Sequence, residues 1–357
     1  MGDPGEGGRW YPTAVTLSDG GVLVASGADQ KKNLNIKLQI LSNGVWSVIG
    51  EFKDIPLYPW LHLAHDGRVF MSGWSKTRQT QLLNTSTRQW SGVTGGTFQG
   101  PDREYGSSVM YDVGKVVIIG GGISPQKTAE MIDLTQPTTG WQPAGEMSIG
   151  RRHHNATILP DGTVLVTGGT SGTGGPMNGF NDVTKPVKRA ELWDPVTRTF
   201  KLLSTEQAPR LYHCTAVLLP DGWVLSAGGG EYRPDGTNEN SPNESRRDAH
   251  IFSPPYLFRG SRPDITSAPN NVTYGQAFEL GTSNPGQVGA VNFLRLSSVT
   301  HAFNQNQRIN FLTFAVNGGN LRVTAPPNAN VCPPGHYMVF VLNNAKIPSA
   351  AKIIRIN

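Results

Sequence analysis

Tyr212 and His213 stand side by side in Arg210-Leu211-Tyr212-His213-Cys214, a phenol and an imidazole that can both ligate a metal ion. The run leads directly into Thr215-Ala216-Val217-Leu218-Leu219-Pro220-Asp221-Gly222, an apolar strand closed by a hairpin turn. Strand side chains alternate between faces, so neighbours can share one ion only where the strand begins or bends. A strand head that opens on a central channel is such a place. A second pair, His153-His154, heads an equivalent strand one repeat earlier and follows Arg151-Arg152. As a metal site an adjacent pair within a strand diverges. One of the two is expected to face the channel, which makes His154, together with Arg152, the candidate substrate contact. A solvated strand top is the plainer reading of the two arginines. His62, His65, His250 and His336 have no partner spacing and read as surface or strand residues.

The elements that must position these groups are repeats. Turns at Asp19-Gly20, Asp66-Gly67, Val113-Gly114, Asp161-Gly162 and Asp221-Gly222 place successive turn glycines 47, 47, 48 and 60 residues apart by subtraction. Most lie between two apolar strands, as Ala156-Thr157-Ile158-Leu159 and Val164-Leu165-Val166-Thr167 do, and the second strand ends on glycine. A period near 50 residues predicts one four-stranded propeller blade of kelch type per copy. Trp46, Trp90, Trp141 and Phe200 close the outer strands and are expected to pack between blades.

The composition agrees: charged residues are 16% of the chain, with 43 Gly and 26 Pro, which suits many short strands joined by tight turns. The pattern changes near Ser253-Pro254-Pro255-Tyr256, and beyond Arg262-Pro263 the blade period is lost. Strands at Asn292–Leu296, Ile309–Val316, Leu321–Val323 and Tyr337–Leu342, with a hairpin at Asn317-Gly318-Gly319-Asn320, predict an immunoglobulin-like sandwich. The net charge of +5 is spread along the chain and argues against a nucleic-acid partner. No apolar run is long enough to span a bilayer, and no targeting segment is visible. The two cysteines, Cys214 and Cys332, exclude a cysteine-rich zinc or disulfide scaffold.

Several passages together resemble one family. They are Tyr212-His213; Ser253-Pro254-Pro255-Tyr256-Leu257-Phe258; Ser298-Val299-Thr300-His301 with Asn304 and Gln307-Arg308; and Pro334-Gly335-His336-Tyr337-Met338-Val339-Phe340. In this order they are similar to the galactose oxidase and glyoxal oxidase group of copper radical oxidases, from Gly8-Arg9-Trp10-Tyr11 to the C-terminus. The resemblance implies an all-β fold with a kelch β-propeller over residues 1–258 and an immunoglobulin-like domain over 259–357. It implies a copper site made of Tyr11, Tyr212, His213 and His301, with His301 delivered by a loop of the second domain. Tyr11 would be the radical-forming phenol, and Tyr212 would accept the substrate proton. Such a set of two nitrogens and two oxygens suits tetragonal Cu(II).

The implied activity is oxidation of a primary alcohol or aldehyde, on a small molecule or glycan, with O2 reduced to H2O2. An extracellular location is implied in the same way. The family propeller has seven blades and its radical tyrosine is cross-linked by a thioether to a cysteine of the preceding blade; five blades are legible here, and that cysteine is not available from this chain. The expectation is a chain whose upstream blades are lost or are supplied by a separate polypeptide. Cys214 reads as a small buried residue, Cys332 as one at a strand edge, and Ala28-Asp29 stand where galactose oxidase has an aromatic that stacks on its radical tyrosine. These departures keep open a second reading, a glycan- or protein-binding propeller with a vestigial copper site.

Overall fold

The structure, a computed structural model, describes residues 8–73, 79–97, 102–136, 140–174, 181–230 and 246–357. Among them five antiparallel sheets follow one another along the chain. The first has strands Thr13–Thr16, Val22–Ala25, Lys37–Ser42 and Val45–Glu51, in that order. The second (Leu61–Leu63 to Gln89–Thr97), third (Ser107–Asp112 to Gln142–Glu146) and fourth (Asn155–Ile158 to Thr199–Thr205) repeat the plan, and the fifth has Cys214–Leu218, Val224–Gly228 and Ala249–Phe252. Each sheet is one blade. All five turn glycines, Gly20, Gly67, Gly114, Gly162 and Gly222, have φ between 68° and 86°, and four of them close a three-residue loop in which the last position must be left-handed, as where the N–H of Gly20 donates to Leu17 O and that of Leu17 to Gly21 O.

Four of the five blades are tied together at their heads. In four blades an arginine stands four residues before the first strand: Arg9, Arg103, Arg151 and Arg210. Each reaches to the polar group borne by, or leading into, its own third strand. Arg103 pairs with Glu130, Arg151 with Glu191 at 2.6 Å, and Arg9 with Gln39 at 2.8 Å. Arg210 meets Asp248 at 3.1 Å and His250 at 2.8 Å. The two arginines expected at a solvated strand top, Arg151 and Arg152, are instead 0% and 1% exposed. Arg151 can be sealed because a carboxylate and two backbone carbonyls, of Gly168 and Arg189, accept from its two terminal nitrogens. Between blades the predicted aromatics pack as expected in two cases, Trp90 on Phe52 and Trp141 on Phe70, with ring centroids 4.8 and 6.4 Å apart.

The C-terminal sandwich has a five-stranded sheet, ordered Asn271–Val272, Lys352–Ile356, Gly335–Asn343, Val288–Arg295 and Ile309–Leu312, facing a three-stranded one, Ala277–Gly281, Asn320–Thr324 and Phe314–Asn317. The near-continuous apolar run Tyr337–Leu342 has a physical cause. Tyr337, Val339 and Val341 face the sandwich core, while Met338, Phe340 and Leu342 pack against the third to fifth blades. Cys332, expected at a strand edge, lies in the turn before this strand and is fully buried in the sandwich core.

From the same domain the segment His301–Arg308 enters the propeller. Gln305 Oε1 accepts the Ala14 N–H at 3.0 Å, Asn306 Oδ1 the Thr16 N–H at 2.8 Å, and Gln307 Oε1 the Ile158 N–H at 2.8 Å. Asn306 and Gln307 also donate to the carbonyls of Ala14 and Ala156, at 3.2 and 3.1 Å. Arg308 donates to Leu63 O, and Ser107 Oγ donates to Ala302 O. The innermost strands of four blades would otherwise present bare edges to the axis. Side-chain amides take the place of a neighbouring strand, each hydrogen bond contributing about 1 kcal/mol.

Candidate metal centre

The blade heads converge on one mouth. Tyr11, Tyr58, Tyr105, His153 and His213 come from the five blades in order, and all have φ between 48° and 68°. A left-handed residue reverses the chain just before the inner strand and turns its ring toward the axis. For a bulky residue this conformation is strained and persists only where packing enforces it. His301 (φ 49°) arrives from the sandwich in the same conformation.

The four residues expected to form the centre come together. Tyr11 Oη lies 3.1 Å from Tyr212 Oη and 3.2 Å from His213 Nε2. The His301 ring centroid is 4.3 Å from that of Tyr11, 4.6 Å from His213 at right angles, and 5.2 Å from Tyr212. His301 Nδ1 is 2.7 Å from Thr300 Oγ1, whereas its Nε2 is buried and has no hydrogen-bond partner.

Burial, with His213 as a further cause, pushes the His301 pKa down to about 3, and burial lowers that of His213. Both imidazoles are therefore neutral at pH 7, the form that ligates metals. Burial, and then the hydroxyl of Tyr11, hold the Tyr212 phenol far above its ordinary value. Two neutral imidazoles and two phenols, with one buried nitrogen lacking a partner, fit a bound cation. Among the described residues no three His, Cys, Asp or Glu side chains are grouped to hold a metal, so a metal at this mouth has to use the phenols. Nitrogen and phenolate oxygen together favour copper over calcium or magnesium.

Two aromatic residues that the sequence reading left out belong to this mouth. Tyr58 stacks on Tyr11 at 4.8 Å and on His301 at 4.4 Å, and Tyr105 stands 4.7 Å from His153 and 6.1 Å from Tyr212. Trp10 covers Tyr11 at 3.5 Å, so an indole does stack on this phenol although Ala28-Asp29 do not supply one. Of the other expected site residues, His154 is fully buried behind the mouth, and Arg152 is 1% exposed and bridges by its backbone to Thr170. Of the two adjacent histidines it is His153 that meets Tyr212, at 5.2 Å. Cys214 turns away toward the fourth blade, where its sulfur accepts from Asn155 Nδ2 at 3.1 Å and approaches His153 O.

Sequence comparison matches residues 6–256 to the model of the glyoxal oxidase N-terminus and residues 262–356 to that of the galactose oxidase-like early set domain. A galactose oxidase of Gibberella zeae is 30% identical over 98% of this chain, which spans 54% of that protein. The aldehyde oxidase GLOX of Vitis pseudoreticulata is also 30% identical, over 98% of this chain and 72% of its own length. Among solved structures, a fungal alcohol oxidase in complex with copper superposes with a TM-score of 0.69 over 98% of this chain and 85% of the other, at 24% identity.

Proposed function

Because the chain belongs to the glyoxal oxidase and galactose oxidase-like family, we propose that its mouth is the copper centre of an oxidase acting on a primary alcohol or a hydrated aldehyde, with O2 reduced to H2O2. The observation that carries this reading is the convergence of Tyr11, Tyr212, His213 and His301 around a buried, unpartnered His301 Nε2. Copper bound there would supply a one-electron redox change and the positive charge that favours phenolate over phenol.

The chain's own residues account for the rest. Tyr212 Oη is the acceptor for the substrate hydroxyl proton. Tyr11, held between Trp10 and Tyr58, is the phenol that, once oxidised, would take the substrate's second electron and later yield it to O2, so that substrate loses two electrons and two protons and O2 gains them. Tyr105 and His153 border Tyr212 and form the wall on which a small substrate would rest. In this reading residues 1–258 carry three of the ligands, residues 259–357 deliver the fourth, and the enzyme works outside the cell.

The test is the copper EPR spectrum after loading with one equivalent of Cu(II) and desalting, alongside peroxide production from short alcohols and aldehydes. A tetragonal signal with nitrogen couplings that is lost in His301→Ala is expected. Copper retained equally by His301→Ala would overturn the assignment and leave the glycan- or protein-binding propeller as the better description.

A further inference from the structure

We infer that Asn181, a residue of the fourth blade, sets the register of the fifth blade's head and so brings the Tyr212 and His213 rings to one point. The inference rests on the copper reading of these two residues and adds a positioning residue to it. Asn181 stands in the connection between the fourth blade's second strand, Val164–Thr167, and its third, Arg189–Asp194.

The heads of the first and fourth blades supply the contrast. In each, the residue after the arginine exchanges two backbone hydrogen bonds with the residue after the blade's glycines. Trp10 N–H donates to Ala28 O at 2.8 Å and Ala28 N–H to Trp10 O at 2.7 Å; for Arg152 and Thr170 the distances are 3.1 and 2.9 Å. In the fifth head the left-handed residue comes one position later, since His213 is three residues past Arg210 and His153 is two past Arg151. The bridge moves with it: Gly230, which follows Gly228-Gly229, donates to Tyr212 O at 2.8 Å and not to Leu211 O. The return path runs through Asn181. Tyr212 N–H donates to Asn181 Oδ1 at 3.1 Å, and Asn181 Nδ2 donates to Gly230 O at 3.2 Å. A side-chain amide, with one acceptor and one donor to offer, is spliced into a backbone bridge.

The splice is held from both sides. Asn181 is followed by Asp182, whose carbonyl lies 2.8 Å from Thr170 Oγ1, so the amide is anchored to the fourth blade's own bridge. On the other side the Gly230 backbone lies against the His213 imidazole, where a methyl group on Gly230 would come 3.4 Å from Nδ1. Tyr212 is buried, and its ring centroid lies 3.8 Å from that of His213. With the amide in place, Tyr212 N–H and Gly230 O are both satisfied although the segment is one residue out of step with the fourth head. Without it, the head regains a direct bridge only by sliding back to the fourth blade's register. That register would place His213 as His154 is placed, fully buried behind the mouth.

The experiment uses the full chain, first without metal, and reads two NMR signals: exchange of the Tyr212 amide and the shift of the His213 ring protons caused by the Tyr212 ring. Asn181→Ala should speed Tyr212 amide exchange by about 10-fold and move the His213 ring protons toward their unstacked shifts. Asn181→Asp keeps the acceptor for Tyr212 N–H and removes the donor to Gly230 O, so it should fall between Asn181→Ala and the unaltered chain. Thr184→Ala, in the same connection, should change neither signal. After loading, Cu(II) affinity measured by chelator competition should fall by about 10–100-fold in Asn181→Ala, with the urea midpoint little changed. Unchanged His213 ring shifts in Asn181→Ala overturn the proposal, as does a loss of affinity that Thr184→Ala shares equally. So does unaltered affinity in Asn181→Ala while His213→Ala and His301→Ala lose copper, a result that leaves the copper reading standing. Should His213→Ala and His301→Ala bind copper like the unaltered chain, the copper reading fails by itself, and the metal-free ring shifts still decide whether Asn181 sets the head.

Discussion

The heads of the fourth and fifth blades, Arg151-Arg152-His153-His154-Asn155 and Arg210-Leu211-Tyr212-His213-Cys214, share an arginine and a histidine at matching positions and end in different roles. In both, the arginine stands four residues before the strand. In the fourth blade the left-handed residue is His153; its ring reaches the mouth, and His154, one step on, points into the interior. In the fifth it is His213, one position nearer the strand. That displacement turns the imidazole back toward Tyr212, so adjacent side chains share a site that simple alternation would have divided. Polar pairing follows the same split: Arg151 and Glu191 are both fully buried, whereas Asp248, the partner of Arg210, is 48% exposed. One head is built as a joint, the other as a holder of two rings at the mouth.

The largest effect should come from breaking the joint. Glu191→Gln leaves Arg151 buried without its counter-charge and should cost about 3–5 kcal/mol in chemical denaturation. The holder should respond through metal instead. His213→Ala is expected to lower Cu(II) affinity by at least ~100-fold, or about 2.7 kcal/mol, with unfolding little changed, while His154→Gln leaves affinity unaltered.

A pH series separates the heads further. Burial, with Arg151 as a further cause, pushes the His154 pKa down to about 3 from an ordinary value near 6.5. Its neutral form is the folded one, so this histidine adds no penalty above pH 6.5. As pH falls from 6.5 toward 3 the unfolded chain takes up a proton that the folded chain refuses, and stability drops by up to about 1.4 kcal/mol per pH unit, about 2 kcal/mol by pH 5. The difference in urea stability between pH 7 and pH 5 should shrink by that amount in His154→Gln. The smallest effect is expected for Asp248→Asn, under about 1 kcal/mol, because water already screens that carboxylate.

Much of the fold was legible because it depends on local backbone chemistry. Asp-Gly turns need a positive φ, and their spacing carries the blade period. The convergence of Tyr11, Tyr212, His213 and His301 was legible only through motifs, since Tyr11, His213 and His301 are far apart in sequence and nothing in composition joins them. Tyr58 and Tyr105 were missed for a physical reason. A ring enters the mouth when its residue, or the one next to it, adopts a left-handed conformation, and a tyrosine gives no sign of that as a glycine does. The same blindness applies to His153 and His154, where only the turn decides which ring faces the axis. Arg151 and Arg152 read as solvated because the carboxylate that allows Arg151 to be buried lies 40 residues away. The amide plug was hidden too, since Gln305, Asn306 and Gln307 look like any polar loop.

That plug sets an order of events during synthesis. The blades precede residue 301 in the chain, so they emerge from the ribosome while their inner edges are uncapped and while His301 is absent. At roughly 5–20 residues per second, the stretch from the last blade to the C-terminus takes on the order of 5–20 s to appear. During that interval the half-built mouth holds Tyr11, Tyr212 and His213 but lacks His301. If the mouth is the proposed copper centre, loading of the redox metal is thereby deferred until the domain that carries His301 docks.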